Sequence, residues 1–278
     1  MRRLFNKGLL TFFLMSFTLT VIFPFVWMIL LSFKDNASIL KNPYGLPTSL
    51  QFENFAKLFA DSQIRFYRYI WNTVVVTISA IILTVILSSL GGYGFGRKRY
   101  AFRYREWIFG ILLFSLMLPV QATYIPQFML MSTYNLLNTR LALVLLYTAY
   151  QITVSTYLLK TYYAQLPEEL EESARIDGAG DFTIFLKIMM PLTKPILTSV
   201  ILLNFLHNWN ELLLAITMVT DPALRTLPVA MMNFVGESAS NYAMAAAAIV
   251  VGMIPILLLY ILFADRFVKG LTAGAVKG

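Results

Sequence analysis

An all-α integral membrane protein with six transmembrane helices is the fold class this sequence predicts, and three observations carry it. The chain is 58% hydrophobic and only 13% charged over 278 residues, with a mean hydropathy of +0.69, too apolar for a water-soluble domain of that length. Its apolar residues gather into six stretches of about 20 residues, the length a helix needs to cross the hydrocarbon layer. Its positive charges cluster in short segments beside those stretches, which is how orientation in a membrane is encoded.

The first stretch, 9–33, follows a basic start of Arg2, Arg3 and Lys7. It exceeds the ~7 to 15 residues of a signal-peptide core and has no clear small-residue cleavage site, so it reads as a retained span. Segment 34–68 comes next. Asn42-Pro43, Gly45 and Pro47 break helix there, and Phe52, Phe55, Leu58 and Phe59 then recur at helical spacing, as in a short helix lying on the membrane surface. The remaining spans are 71–95, 107–131, 141–159, 195–219 and 242–267, with Pro119 and Pro126 expected to bend the third. Of the 22 Lys and Arg, seven (Lys34, Lys41, Lys57, Arg65, Arg68, Arg140 and Arg225) fall on one side of this arrangement and the other 15 on the opposite side. Both termini are therefore expected in the cytoplasm, because positively charged loops resist translocation. No internal repeat or linker divides the chain, which predicts one domain over 1–278.

Composition also excludes. With no cysteine and a single histidine, His207, the chain can form neither a disulfide framework nor a thiolate or multi-histidine metal site. No phosphate-binding GxxxxGK[ST] loop, no Ser/His/Asp set and no HExxH spacing occurs, so no catalytic residue, metal or cofactor is assigned. The net charge of +8 belongs to membrane orientation and not to nucleic acid.

Between the fourth and fifth spans lies a polar segment, 166–191. Pro167 suits a first helical turn, and Glu168, Glu169, Glu171 and Glu172 sit near an amino end, where the helix dipole favours negative charge. Leu170, Ser173, Ala174 and Asp177 fall at i, i+3, i+4 and i+7 and predict a narrow packing face, and Glu171 and Arg175 stand in the favourable i to i+4 order. Gly178 and Gly180 permit a tight turn, Asp181 can cap a second helix over 182–190, and Pro191 can end it. A solvated loop would share much of this pattern.

The order of residues narrows the reading. Glu172-Ser173-Ala174, three residues, Gly178, nine residues, then Ile188 and Met190-Pro191 resembles the EAA loop of permease subunits in ATP-binding cassette importers, with Ser173 and Met190 departing from its alanine and leucine. Leu118-Pro119, Asn135 to Thr139, Leu166 to Leu170, Ile176 to Ala179, Trp209-Asn210-Glu211 and the carboxy-terminal Gly270 to Gly278 extend the resemblance over 66–278, toward the carbohydrate-uptake branch and its smaller six-span subunit. The resemblance implies a type I importer permease fold in the cytoplasmic (inner) membrane. It also implies a second permease subunit as heterodimer partner, two cytoplasmic ATPase subunits, an external solute-binding protein and a sugar substrate. On this chain Glu168, Glu172, Ser173, Ala174, Asp177, Gly178 and Ala179 would dock the ATPase through a coupling helix, and Gly274, Lys277 and Gly278 of the tail, 268–278, would reach toward it.

Polar groups inside the spans complete the candidates. Asn204, His207, Asn208 and Glu211 fall at i, i+3, i+4 and i+7 on the fifth span and cannot face lipid. They either line a translocation path and bind sugar hydroxyls or hold helices together. Tyr147, Tyr150 and Gln151 on the fourth span, and Tyr124 and Gln127 on the third, pair aromatic rings with amides, which suits sugars and suits packing too. Two alternatives remain open at this stage: a permease for glycerophosphate or another polar metabolite, and an ion-coupled secondary transporter using Glu211 and His207.

Overall fold

The computed structural model describes residues 2–60, 65–236 and 241–273, which are helical apart from their connections. In chain order the helices are α1 (Arg2–Ser32), α2 (Asn36–Lys41), α3 (Glu53–Ala60), α4 (Phe66–Gly96), α5 (Arg105–Phe114), α6 (Tyr124–Thr133) and α7 (Arg140–Tyr163). There follow α8 (Glu169–Ile176), α9 (Asp181–Ile184), a π turn at Phe185–Met189, α10 (Met190–Leu192), α11 (Lys194–Asn210), α12 (Leu213–Met218), α13 (Leu227–Gly236) and α14 (Tyr242–Ala273).

Four of these helices are long and apolar enough to cross a membrane singly, within α1, α4, α7 and α14; six spans result if two bent pairs each count as one. The third predicted span is one such pair, Arg105–Met117 and Val120–Thr133, bent by 100°. The break is at Pro119: Leu118 is driven to extended backbone (φ −77°, ψ 126°), as the residue before proline must be. Pro126, also expected to bend this span, instead sits in the first turn of α6, where a missing N–H disturbs nothing. The fifth predicted span stops early, at Asn210, because Glu211 leaves helical geometry (ψ 122°) and α12 starts afresh beyond it.

The chain divides into two compact units. The first comprises Met1–Arg68 and Val229–Pro255. Here the Asn54 amide donates to the carbonyls of Ser32 and Lys34 at the end of α1, and the buried Lys34 ammonium donates to the carbonyls of Asn42 and Gly45. These bonds explain why a loop rich in Pro and Gly holds one shape. Asp35 caps α2 through Ser38, whose hydrogen bonds hold its carboxyl below the usual carboxylate range. A short helix is present in this segment as α3, anchored by a fully buried Leu58, while Phe52 and Phe59 stay exposed.

The second unit comprises Tyr69–Pro228 and Ile256–Gly278. Within it α4 packs closely on α7, where glycine lets two backbones approach. A Cβ on Gly92 would lie 2.7 Å from the Cβ of Leu159, and one on Gly96 would lie 2.8 Å from the Lys160 carbonyl oxygen. At the start of α4, Asn72 ties three segments together: its amide nitrogen donates to the Ala223 and Arg225 carbonyls, and its oxygen accepts from Arg140 Nε at 2.9 Å. At the other end of the same helix, about 36 Å from Asn72 at 1.5 Å per residue, lies the polar hairpin.

Candidate functional site

The hairpin of residues 166–192 is built as the glycine and the acidic run require. After α8, Gly178 takes φ +84°, a left-handed conformation that costs an L side chain about 1–2 kcal/mol. The chain then reverses into α9. Immediately before Pro191, which lacks an N–H and crowds the preceding turn, the helix widens into the π turn Phe185–Met189, whose bond runs from Met190 N–H to the Phe185 carbonyl. Ala174, Ile184, Phe185 and Met189 bury themselves against Tyr93, Leu159, Tyr163, Ile196, Leu197 and Val200. A 76° bend then separates Asp181–Leu192 from α11.

One polar joint fastens this hairpin to α4. The buried Arg97 guanidinium spends all five N–H groups: Nε and Nη2 on Glu171 Oε2 at 3.0 and 2.9 Å, Nη1 on the carbonyls of Tyr163 and Leu166 at 3.0 and 2.7 Å, and Nη2 again on the Pro167 carbonyl at 3.3 Å. The other Glu171 oxygen accepts from Tyr93 Oη at 2.6 Å. A buried ion pair is tolerable only when its remaining lone pairs and protons are satisfied, and here they are. The end of α4, the α7–α8 connection and α8 are thereby clamped to one another.

Three expectations are corrected by this geometry. Glu171 does not pair with Arg175; it turns inward to Arg97, and Arg175 reaches Asp181 at 3.2 Å instead. Asp181 does not cap the second helix, because Gly180 holds the cap position and Asp181 is already the first helical residue. The packing face of α8 is Glu171 and Ala174, and the predicted partners Leu170, Ser173 and Asp177 stay exposed. Sequence reasoning passed over Arg97, Tyr93 and Glu171 as a group.

What the hairpin presents outward is Glu168, Glu172, Ser173, Asp177 and Gly178, all exposed, with Ile176 and Phe182 beside them at 87% and 69% exposure. Ala174, expected at the docking face, is buried, and Ala179 is half-buried. Lys98–Glu168 and Arg99–Asp181 pair loosely across this rim at 3.9 and 3.8 Å. The tail residues Gly274, Lys277 and Gly278 lie outside the described residues.

The polar residues of the spans separate into packing groups and lining groups. Asn204 donates to Ser155 Oγ and the Val200 carbonyl, joining α11 to α7. Asn208 is buried with neither amide atom paired among the described residues. Glu211 is a local cap: its carboxylate accepts from Leu214 N–H, Ala215 N–H and Tyr147 Oη. His207 stacks on Tyr150 with ring centres 4.7 Å apart. Gln127, Tyr150 and Gln151 share a cleft of about 250 Å³ with Ser115, Thr123 and Leu214; Tyr124 and Tyr147 are not among its lining residues.

Residues 88–273 match the family described as binding-protein-dependent transport system inner membrane component. The chain belongs to this family. Similar members include the probable ABC transporter permease protein YurM of Bacillus subtilis, 32% identical over 96% of this chain and 87% of that one. The diacetylchitobiose uptake system permease protein NgcG of Streptomyces coelicolor is 33% identical over 95% of this chain and 87% of its own length. Among solved structures, a chain of a bacterial ABC transporter involved in the import of the acidic polysaccharide alginate shares the fold, with a TM-score of 0.81 at 24% identity over 95% of this chain and 97% of that one. The described residues of this transport-system component thus combine helices apolar and long enough to span with a clamped polar hairpin and a cleft.

Proposed function

We propose that this chain is one of two permease subunits of an ATP-driven importer that carries a sugar or oligosaccharide across the cytoplasmic membrane. It works with a second permease, two cytoplasmic ATPase subunits and an external solute-binding protein, and both of its termini face the cytoplasm. The observation that carries the reading is the hairpin. Its inner face is sealed by the Arg97–Glu171 joint, and its outer face offers Glu172, Ser173, Ile176, Gly178 and Phe182 to a partner. That is the build of a lever: a docked ATPase that closes on ATP would push α8, and the clamp would pass the displacement to α4 and α7 without slack. Two conformations of the spans then alternate access to the path, each favoured by one state of the ATPase pair. The sugar class is supported by the oligosaccharide named for NgcG. The path is assigned to the cleft side of α6 and α7 that carries Gln127, Tyr150 and Gln151, with His207 of α11 stacked on Tyr150 and Tyr124 beside them; Tyr147, Asn204, Asn208 and Glu211 hold the surrounding elements in place, and the tail residues Gly274, Lys277 and Gly278 are assigned to the ATPase side.

The test is reconstitution of the four-component complex in liposomes. Glu172→Lys and Gly178→Pro should abolish ATP-driven uptake and sugar-stimulated ATP hydrolysis while the protein still inserts. Normal coupling in both variants, or uptake that follows an ion gradient and ignores ATP, would sink the proposal.

A further inference from the structure

Gln151 is 8% exposed, lines the 250 Å³ cleft, and makes no hydrogen bond among the described residues. An amide on a cleft wall with no partner in the folded chain keeps its two donors and its acceptor for whatever enters the cleft. Across the cleft, Gln127 Nε2 donates to Thr123 Oγ1 at 2.9 Å, and its Oε1 is buried without a partner. Tyr150 borders the same space, held in orientation by the His207 ring stacked on it at an interplanar angle of 13°. Two amides with free valences beside a fixed aromatic ring match the surface of a pyranose, which offers hydroxyls at its rim and C–H groups on its face. The volume is near the lower end of the ~300–1,000 Å³ range of small-molecule sites, room for one sugar ring and not for a chain of them.

Charge narrows the class. The lining residues include no Asp, Glu, Lys, Arg or His. The formal charge one hydrogen bond away is negative: Glu211 accepts from the N–H of Leu214, which itself lines the cleft. A carboxylated sugar placed there would lose its hydration and meet no cation, a penalty that an uncharged ring avoids. Resting on the importer reading above, we infer that this subunit itself contacts the cargo, through a one-ring subsite of Gln127, Tyr150 and Gln151 that accepts uncharged sugar units and rejects uronates. The fold shared with the alginate importer therefore does not carry its acidic cargo over to this chain.

The experiment uses the whole complex in proteoliposomes at saturating binding protein, with tritiated maltotriose, arabinotriose and diacetylchitobiose as neutral probes and a mannuronate trisaccharide as the acidic one. The expected result is uptake of at least one neutral probe, a drop of about tenfold in Gln151→Leu and in Gln127→Leu, partial recovery in Gln151→Asn, and a gain of uronate uptake relative to neutral sugar in Gln151→Arg. Should Gln151→Leu fail to assemble with the ATPase on gel filtration, Gln127→Leu, at a half-buried position, gives the same readout. Wild-type uptake rates in assembled Leu variants, or preference of the unmodified complex for the uronate, would overturn the subsite alone. No ATP-driven uptake of any saccharide by the unmodified complex would overturn the importer reading and this inference with it.

Discussion

Arg97 donates two hydrogen bonds to one oxygen of Glu171, at 2.9 and 3.0 Å, across 74 residues of sequence and with both side chains sealed from solvent. Removing one partner strands a buried charge. Glu171→Leu or Arg97→Met should each destabilise the protein by about 3–5 kcal/mol, while the double variant should lose less than the sum, because neither charge remains although the carbonyls of Tyr163, Leu166 and Pro167 lose their donor. Thermal unfolding in detergent over the four members of this cycle checks it; additive losses in the double variant would mean the two side chains do not form a unit.

The α4–α7 contact makes a prediction with an internal control. Gly92→Ala forces a Cβ to within 2.7 Å of Leu159, and Gly96→Ala to within 2.8 Å of the Lys160 carbonyl, whereas a Cβ on Gly94 meets nothing within 4 Å. The first two should lose about 1–3 kcal/mol by overpacking, and Gly94→Ala should be neutral or slightly stabilising through helix propensity. Melting temperatures of the three variants, measured side by side, decide the matter.

At the hairpin turn, Gly178→Ala should cost about 1–2 kcal/mol, since the backbone is held at φ +84°. Gly180→Ala should be tolerated, because Gly180 has φ −72° and open space around it. Proteolysis of the hairpin in the detergent-solubilised protein should accelerate in the first variant and not in the second.

The exposed pair Arg175–Asp181 should matter little to stability. Asp181→Asn is expected to shift unfolding by less than about 1 kcal/mol, as surface pairs do, in contrast to any change at Glu171. Equal losses at the two positions would contradict the distinction between a sealed joint and a solvated rim.

Asp35 gives a pH signature. Its carboxyl sits below the ordinary value because Ser38 bonds to the charged form, so the cap is present above that value and is lost as the pH falls through the depressed folded-state one. Hydrogen exchange of the Ser38 amide should accelerate on acidification and be fast at all pH in Asp35→Ala.

The errors in reading the hairpin have a common physical source. Glu171 and Arg175 stand at a spacing that permits pairing, yet local spacing sets only which partners are reachable. Arg97 wins because its five-donor fork also satisfies three carbonyls of the α7–α8 connection in a space without water. Asp181, freed from capping by Gly180, goes to Arg175 and Arg99. In the same way Glu211 looked like part of a continuous polar stripe until the helix ended beneath it and its carboxylate capped α12.

By itself the sequence determined the features that are local: apolar runs long enough to span, glycine at the hairpin turn that takes positive φ, proline where the third span breaks, and the acidic start of α8. These follow from hydropathy and backbone sterics over a few consecutive residues. Only the tertiary structure decided which charge meets Glu171, how closely Gly92 approaches Leu159, and which amides line the cleft. Such pairings depend on desolvation and on helices brought together from distant parts of the chain, and no periodicity along a single helix encodes them.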